Sequence, residues 1–254
     1  MAVMHHTIDF ISFADSVHAL LSALDIQETF RNQSRIVIKP NLINDAPPPI
    51  TTPVQCCQAI IEFIRANSEA EIIIAEGCGQ PGLDTDTAFD RLGYTELARS
   101  QDVRLVDLNT AELVGLQNPA CRVFPHMYLP RIAMDNFLIS VPVLKAHSMA
   151  TITGALKNML GLAPPQYYGG RHGTWKKSVF HAQLQEGISD LLSYRSPDLS
   201  IMDASVGMAE FHLGGATCDP PLGKIVGGYD PWEVDREGAR LLGLEWTSIG
   251  HLHK

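Results

Sequence analysis

Short apolar runs alternate along the chain with segments whose apolar residues recur at helical spacing. Arg35-Ile36-Val37-Ile38-Lys39 predicts a buried strand, which Pro40 ends, and a Pro-rich loop follows over 41–50. Thr51-Thr52-Pro53 predicts a helix start, with threonine as the cap and proline at the first helical position. Val54, Ile60, Ile61 and Ile64 then form its one-sided apolar stripe. A second buried strand over 71–75 runs into Glu76-Gly77-Cys78-Gly79, and a helix over 84–100 is weakened at Gly93. A third strand is expected over 103–107, then short edge strands within 114–132 bent at Pro119, Pro125 and Pro130. Further strands are expected over 137–141, 199–202 and 224–227, and helices over 153–160, 179–194 and 231–242. A Gly/Pro/Tyr loop fills 161–173.

Strands alternating with helices predict a layered α/β fold, its central sheet mainly parallel or mixed and flanked by helices. Residues 1–254 read as one domain, since α/β domains often reach this length and no linker or repeat interrupts the pattern. Ligands of such folds bind beyond the carboxyl ends of the strands. Lys39, Asn41, Glu76, Lys145, His147, Asp203 and Asp230 fall at such positions.

Composition narrows the class. Hydrophobic residues are 45% and aromatics 7%, enough for a sizeable core. No apolar run approaches the length of a membrane span, and MAVMHHTIDF lacks the layout of a signal peptide, so a cytoplasmic protein is expected. The five cysteines are irregularly spaced with no C-x-x-C pair, which argues against a zinc ribbon or an iron–sulfur cluster loop. They read as buried reduced thiols, with Cys78 in its Gly-rich turn the one to test.

Charge then locates the chemistry. The chain carries 28 carboxylates, yet from Asn136 to Gln185 it has none. That stretch holds Lys145, Lys157, Arg171, Lys176 and Lys177, a charge of +5 against −9 for the chain, which leaves −14 on the remainder. A local cationic field in an anionic protein suits a small phosphate or carboxylate. Nucleic acid is disfavoured by the negative total and by the lack of aromatics interleaved with the basic residues.

Lys145 and His147 share one side of an extended segment, where an ammonium and an imidazole can bind an anion and move a proton. Thr153 and Lys157 are four apart and share a helix face, and the free N–H groups of a helix beginning at Thr153-Gly154 could hold an oxyanion. Asn158 adds an amide. Arg171 and His172, beside Gly169-Gly170 and Gly173, read either as a mobile lid with a bidentate fork or as an exposed loop. Lys176 and Lys177 read as solvated. Glu76 and His147 are the candidate acid–base pair, and Lys39, Asn41, Lys145, Thr153, Lys157, Asn158, Arg171 and His172 the candidate ligand-binding set. Asp203 and His181 are weak candidates for a divalent metal. Asp230 and Asp235 are further candidate acids, bases or metal ligands, read equally as a helix cap and as a surface or packing carboxylate, and the histidines near the termini, His5, His6, His251 and His253, read as non-functional. No G-x-S-x-G elbow, G-x-G-x-x-G turn or P-loop is present.

Ile38-Lys39-Pro40-Asn41, Val141-Pro142-Val143-Leu144-Lys145-Ala146-His147, Thr153-Gly154-Ala155-Leu156-Lys157-Asn158 and Asp230-Pro231-x-x-Val234-Asp235 occur in the order characteristic of one family. Over about 35–243 the chain resembles the domain-of-unknown-function family numbered 362, most specifically from Lys145 to Gly161. Asp203 and Gly214-Gly215 fit its late strand and glycine-rich loop. Many members join this domain to a ferredoxin-like segment with two iron–sulfur clusters, which implies redox work there; this chain shows no such segment. Three readings follow: an enzyme using acid–base chemistry on an anionic small molecule, a redox-associated protein that docks an iron–sulfur partner or binds a cluster in a homo-oligomer, and a non-catalytic anion-binding protein.

Overall fold

The computed structural model describes residues 5–254, so the first four residues of the segment read for a signal peptide lie outside it. Eleven strands follow in order: β1 (His5–Asp9), β2 (Arg35–Pro40), β3 (Glu71–Glu76), β4 (Arg104–Asp107), β5 (Leu113–Gln117), β6 (His126–Pro130), β7 (Phe137–Val141), β8 (Val143–His147), β9 (Thr151–Thr153), β10 (Leu199–Met208) and β11 (Lys224–Gly228). The main sheet runs β1-β11-β10-β7-β2-β3-β4, with β8 pairing β10 and β9. Its centre is parallel, β2 lying between β3 and β7 and β10 pairing both β7 and β8, while β1, β11 and β9 pair antiparallel. The mixed α/β sheet expected from the alternating pattern is therefore present.

Apolar residues of the central strands point alternately to two cores, as a pleated strand requires. Val37, Ile73 and Leu138 join one core, with Leu156, Ile188 and Val234 from the helices on that face. Ile36, Ile38, Ile72 and Ile74 join the other, with Ile60, Ile64 and Leu20. Both faces are covered, so strands β2 and β3 read as near-continuous apolar runs rather than alternating ones.

Several local expectations are modified. Gly93, at φ 83°, divides the helix predicted over 84–100 into Thr85–Arg91 and Tyr94–Gln101. The helix predicted over 153–160 is one α turn, Ala155–Asn158, followed by 3-10 backbone at Met159–Leu162. Pro53, not threonine, sits at the N-cap of helix Val54–Asn67; Thr52 instead donates its hydroxyl to Val141 O at 2.7 Å and accepts from Asn41 N at 2.8 Å. Asp230 caps helix Pro231–Leu241 as expected, accepting from Trp232 N at 3.0 Å. The five cysteines are free. His251, near the C-terminus, is fully buried against Gln185.

Candidate functional site

Parallel strands β2, β3, β7 and β10 leave their carboxyl ends on one side of the sheet, where a cavity of about 270 Å³ opens. Its polar floor comes from Asn41, Glu76, Lys145, Thr153, Lys157, Asn158 and Lys177, and its walls from apolar residues including Leu160, Phe180 and Leu184. The proline between β7 and β8 explains why Lys145 belongs here: Pro142 lacks an N–H, and the chain leaves β7 and continues along β10.

Lys145 is 1% exposed, and its Nζ donates to Asn41 Oδ1 at 2.7 Å and to Ile50 O at 2.5 Å. Both partners are neutral. Burial, and then the charge of Lys157, push it down to about 7. Lys157 is partly buried, and its ammonium has neither a hydrogen-bond acceptor nor a carboxylate partner among the described residues. Burial and the charge of Lys39 push it down to about 8. Thr153 is buried, and its hydroxyl has no partner among the described residues. This side of the cavity has positive charge and an unmet donor–acceptor group, with nothing anionic among the described residues paired to them.

The other side is matched. Lys39 Nζ lies 2.5 Å from Glu76 Oε2, with both side chains buried, and also donates to Asn158 Oδ1 at 3.0 Å. Asn158 in turn donates to Lys39 O and to Ser140 Oγ, so its amide holds the lysine in place. Burial moves Lys39 below and Glu76 above their ordinary values, and their mutual attraction opposes both shifts. Lys177 closes this side, donating to Asn109 Oδ1 and Ala163 O; burial pushes it down to about 7 although Glu76 draws it up. Only a residue without Cβ fits over the pair: a Cβ on Gly161 would lie 2.6 Å from Lys39 Cε and 2.7 Å from Glu76 Oε1.

His147 stands at the end of β8 with its Nδ1 accepting from Met149 N and Ala150 N, both at 3.1 Å. These bonds assign the ring proton to Nε2. Burial, reinforced by Lys157, holds its pKa well below the ordinary histidine value. The same two N–H groups form the turn into β9, where Thr151 takes φ 67°, an outlier for a β-branched residue. His212 stacks on His147 with ring centroids 3.9 Å apart, and burial lowers it to about 3.

Of the residues singled out from sequence, Asn41, Glu76, Lys145, His147, Thr153, Lys157, Asn158 and His181 line the cavity, and Lys39 lies beneath it through Glu76. Arg171 and His172 are exposed and outside the lining. The helix start at Gly154 is occupied by the protein itself: Asp235 accepts from Ala155 N at 2.5 Å and from Leu156 N at 3.0 Å. An oxyanion site on those N–H groups is thereby corrected, and of the two structural readings of Asp235 the packing carboxylate holds, since it is fully buried and raised by burial to about 7. Asp203 is buried away from the lining, its Oδ1 accepting from Ser205 N at 2.9 Å, so it is not brought to His181. Among the described residues no group of three or more His, Cys, Asp or Glu could hold a metal.

Lys177 and His212 were not legible as lining residues. The Lys176-Lys177 pair after a glycine-rich loop looks solvated, yet Lys177 is 8% exposed. Its neighbours Asn109 and Ala163 are 68 and 14 residues away, and local pattern carries no trace of them.

Comparison with known proteins agrees with this architecture. A thylakoid-associated protein of Synechocystis sp. (strain ATCC 27184 / PCC 6803 / Kazusa) is 25% identical over 248 residues, covering 94% of this chain and 72% of that protein. A crystal structure of a Thermotoga maritima protein superposes with a TM-score of 0.50 at 10% identity over 92% of this chain, a likeness of fold alone. The chain spans 59% of that structure's length. Among the described residues no helix is long and apolar enough to cross a membrane. The model of the family described as "Domain of unknown function (DUF362)" matches residues 36–240, and the chain belongs to that family.

Proposed function

We propose that the strand-end cavity binds a small molecule carrying a carboxylate or phosphate, with its remaining body against the apolar wall. The observation that carries this reading is the Lys157 ammonium, which faces the cavity without an acceptor among the described residues. A buried or partly buried cation without a counter-charge is costly to keep, and an anion supplied by a ligand removes that cost. Lys145 and the hydroxyl of Thr153, unpartnered among the described residues, stand beside it as further donors.

His147 enters as a donor. Its Nδ1 is committed to two backbone N–H groups, so Nε2–H is the group it offers, and the low pKa keeps the ring neutral. Glu76 is the carboxylate positioned for proton transfer in this reading, since it lines the cavity and burial raises its affinity for a proton. Arg171 and His172 are left out of the ligand contacts because both lie outside the lining.

A thermal-shift screen of carboxylated and phosphorylated metabolites tests the reading. A ligand at a hundred times its Kd stabilises by about 2.7 kcal/mol, and Lys157→Met should abolish that shift. Stabilisation that is unchanged in Lys157→Met would place the ligand elsewhere.

A further inference from the structure

Resting on the anion reading above, we propose that Lys145 is a nucleophile that forms an imine with an aldehyde or ketone bearing the acidic group held by Lys157. Lys145 Nζ is directed by two neutral oxygens, Asn41 Oδ1 and Ile50 O, which take two of its hydrogens. A lysine amine with two donated hydrogens has one remaining position, which is a lone pair once the amine is neutral. Lys145 lines the cavity and has no carboxylate within ion-pair distance among the described residues, so nothing there retains its third proton. Desolvation and an adjacent cation are the two means by which a lysine is made nucleophilic. Both act on Lys145, and they bring it down to about 7.

The other cations of the cavity suit different roles. Lys39 is paired with Glu76, which retains its proton. Lys177 is held by Asn109 and Ala163 but is drawn up by Glu76. Lys157 has no acceptor among the described residues to direct its Nζ, and as an ammonium it binds the acidic group. In the reaction the Lys145 nitrogen bonds to the carbonyl carbon, and the carbonyl oxygen leaves as water with both amine hydrogens. A proton taken up by the imine then restores one N–H for Asn41 Oδ1 or Ile50 O.

The intact protein would be treated with pyruvate or glyceraldehyde 3-phosphate and quenched with borohydride, which reduces an imine to a stable secondary amine. Mass spectrometry should find one adduct per chain, mapped to Lys145. It should form roughly a thousandfold faster at pH 7 than on an exposed lysine, the ratio of their neutral-amine fractions, accelerate as pH rises through about 7, and be suppressed by excess oxalate or inorganic phosphate. Lys145→Arg, which keeps the cation, should form none. No adduct with either compound, or an adduct mapped to Lys157 or Lys177, overturns the proposal; because mapping uses the unsubstituted protein, this holds even if the variant fails to fold. Stabilisation by oxalate or phosphate is measured in parallel on the same protein. Retained stabilisation without an adduct removes the nucleophile alone, whereas loss of both removes the anion reading as well.

Discussion

The two sides of the cavity floor use the same residue type to opposite effect. Lys39 is fully buried and matched: Glu76 supplies a counter-charge at 2.5 Å, Asn158 an acceptor, and Gly161 the room for both. Lys145 on β8 and Lys157 on the helical turn Ala155–Asn158 line the same cavity, and no carboxylate answers them among the described residues. That pair is satisfied without a ligand. Cations left unmatched at a cavity cost stability that an anionic ligand can restore, and that asymmetry separates a matched lysine from a candidate ligand-binding one.

Breaking the matched side should have the largest effect. Glu76→Ala leaves Lys39 buried without a counter-charge and is expected to destabilise the protein by about 3 kcal/mol or more, read as a lowered midpoint in urea. Lys157→Met should move the other way. It removes an unmatched cation and keeps the apolar stem, so the ligand-free protein should gain about 1 kcal/mol while losing its response to anions. Equal destabilisation by the two substitutions would erase the distinction between the sides.

Titration sharpens the same comparison. Lys145, Lys157 and Lys177 are lowered to about 7, 8 and 7 from 10.5. Between those values and 10.5 the unfolded chain binds more protons than the folded one, so stability rises with pH across that window. Asp235, raised from 3.8 to about 7, acts below it: its contribution is present at low pH and is lost as pH rises to about 7. Above pH 7 the lysines favour the folded state, and the buried thiols Cys56 and Cys57, raised by burial, oppose them only as pH nears the ordinary thiol value, so the ligand-free protein should melt higher at pH 9 than at pH 7. A saturating anion should reduce that difference, because it stabilises the ammonium forms. A melting temperature that falls from pH 7 to pH 9 in the ligand-free protein would contradict the unmatched side.

The frame of this arrangement was legible in the sequence, and its closure was not. Apolar runs at Ile36–Ile38 and Ile72–Ile74 show where β2 and β3 end, and therefore where Lys39 and Glu76 meet. The carboxylate-free stretch marks Lys145 and Lys157 as cations without local neutralisation. Neither pattern shows that Asp235 reaches back 80 residues to cap Ala155, which closes the helix start to an outside anion. Nor do they show Lys177 turning inward, because its acceptors come from other parts of the chain. Periodicity reports on one element at a time; the site depends on contacts between elements.

The smallest expected effect belongs to Arg171 and His172, which share the carboxylate-free stretch with Lys145 and Lys157 but not their surroundings. Both are exposed and outside the lining. The loop is fastened on either side of them, Gly170 N donating to Ser178 Oγ and Lys176 N to Gly79 O, each at 3.0 Å. An exposed cation is screened by water and salt, so Arg171→Ala should change stability by less than about 0.5 kcal/mol. Anion affinity measured by calorimetry should likewise differ little from the unsubstituted protein. Loss of affinity in Arg171→Ala comparable to that in Lys157→Met would mean that the loop folds onto the ligand, and that charge in the sequence, rather than burial in the fold, had located the site.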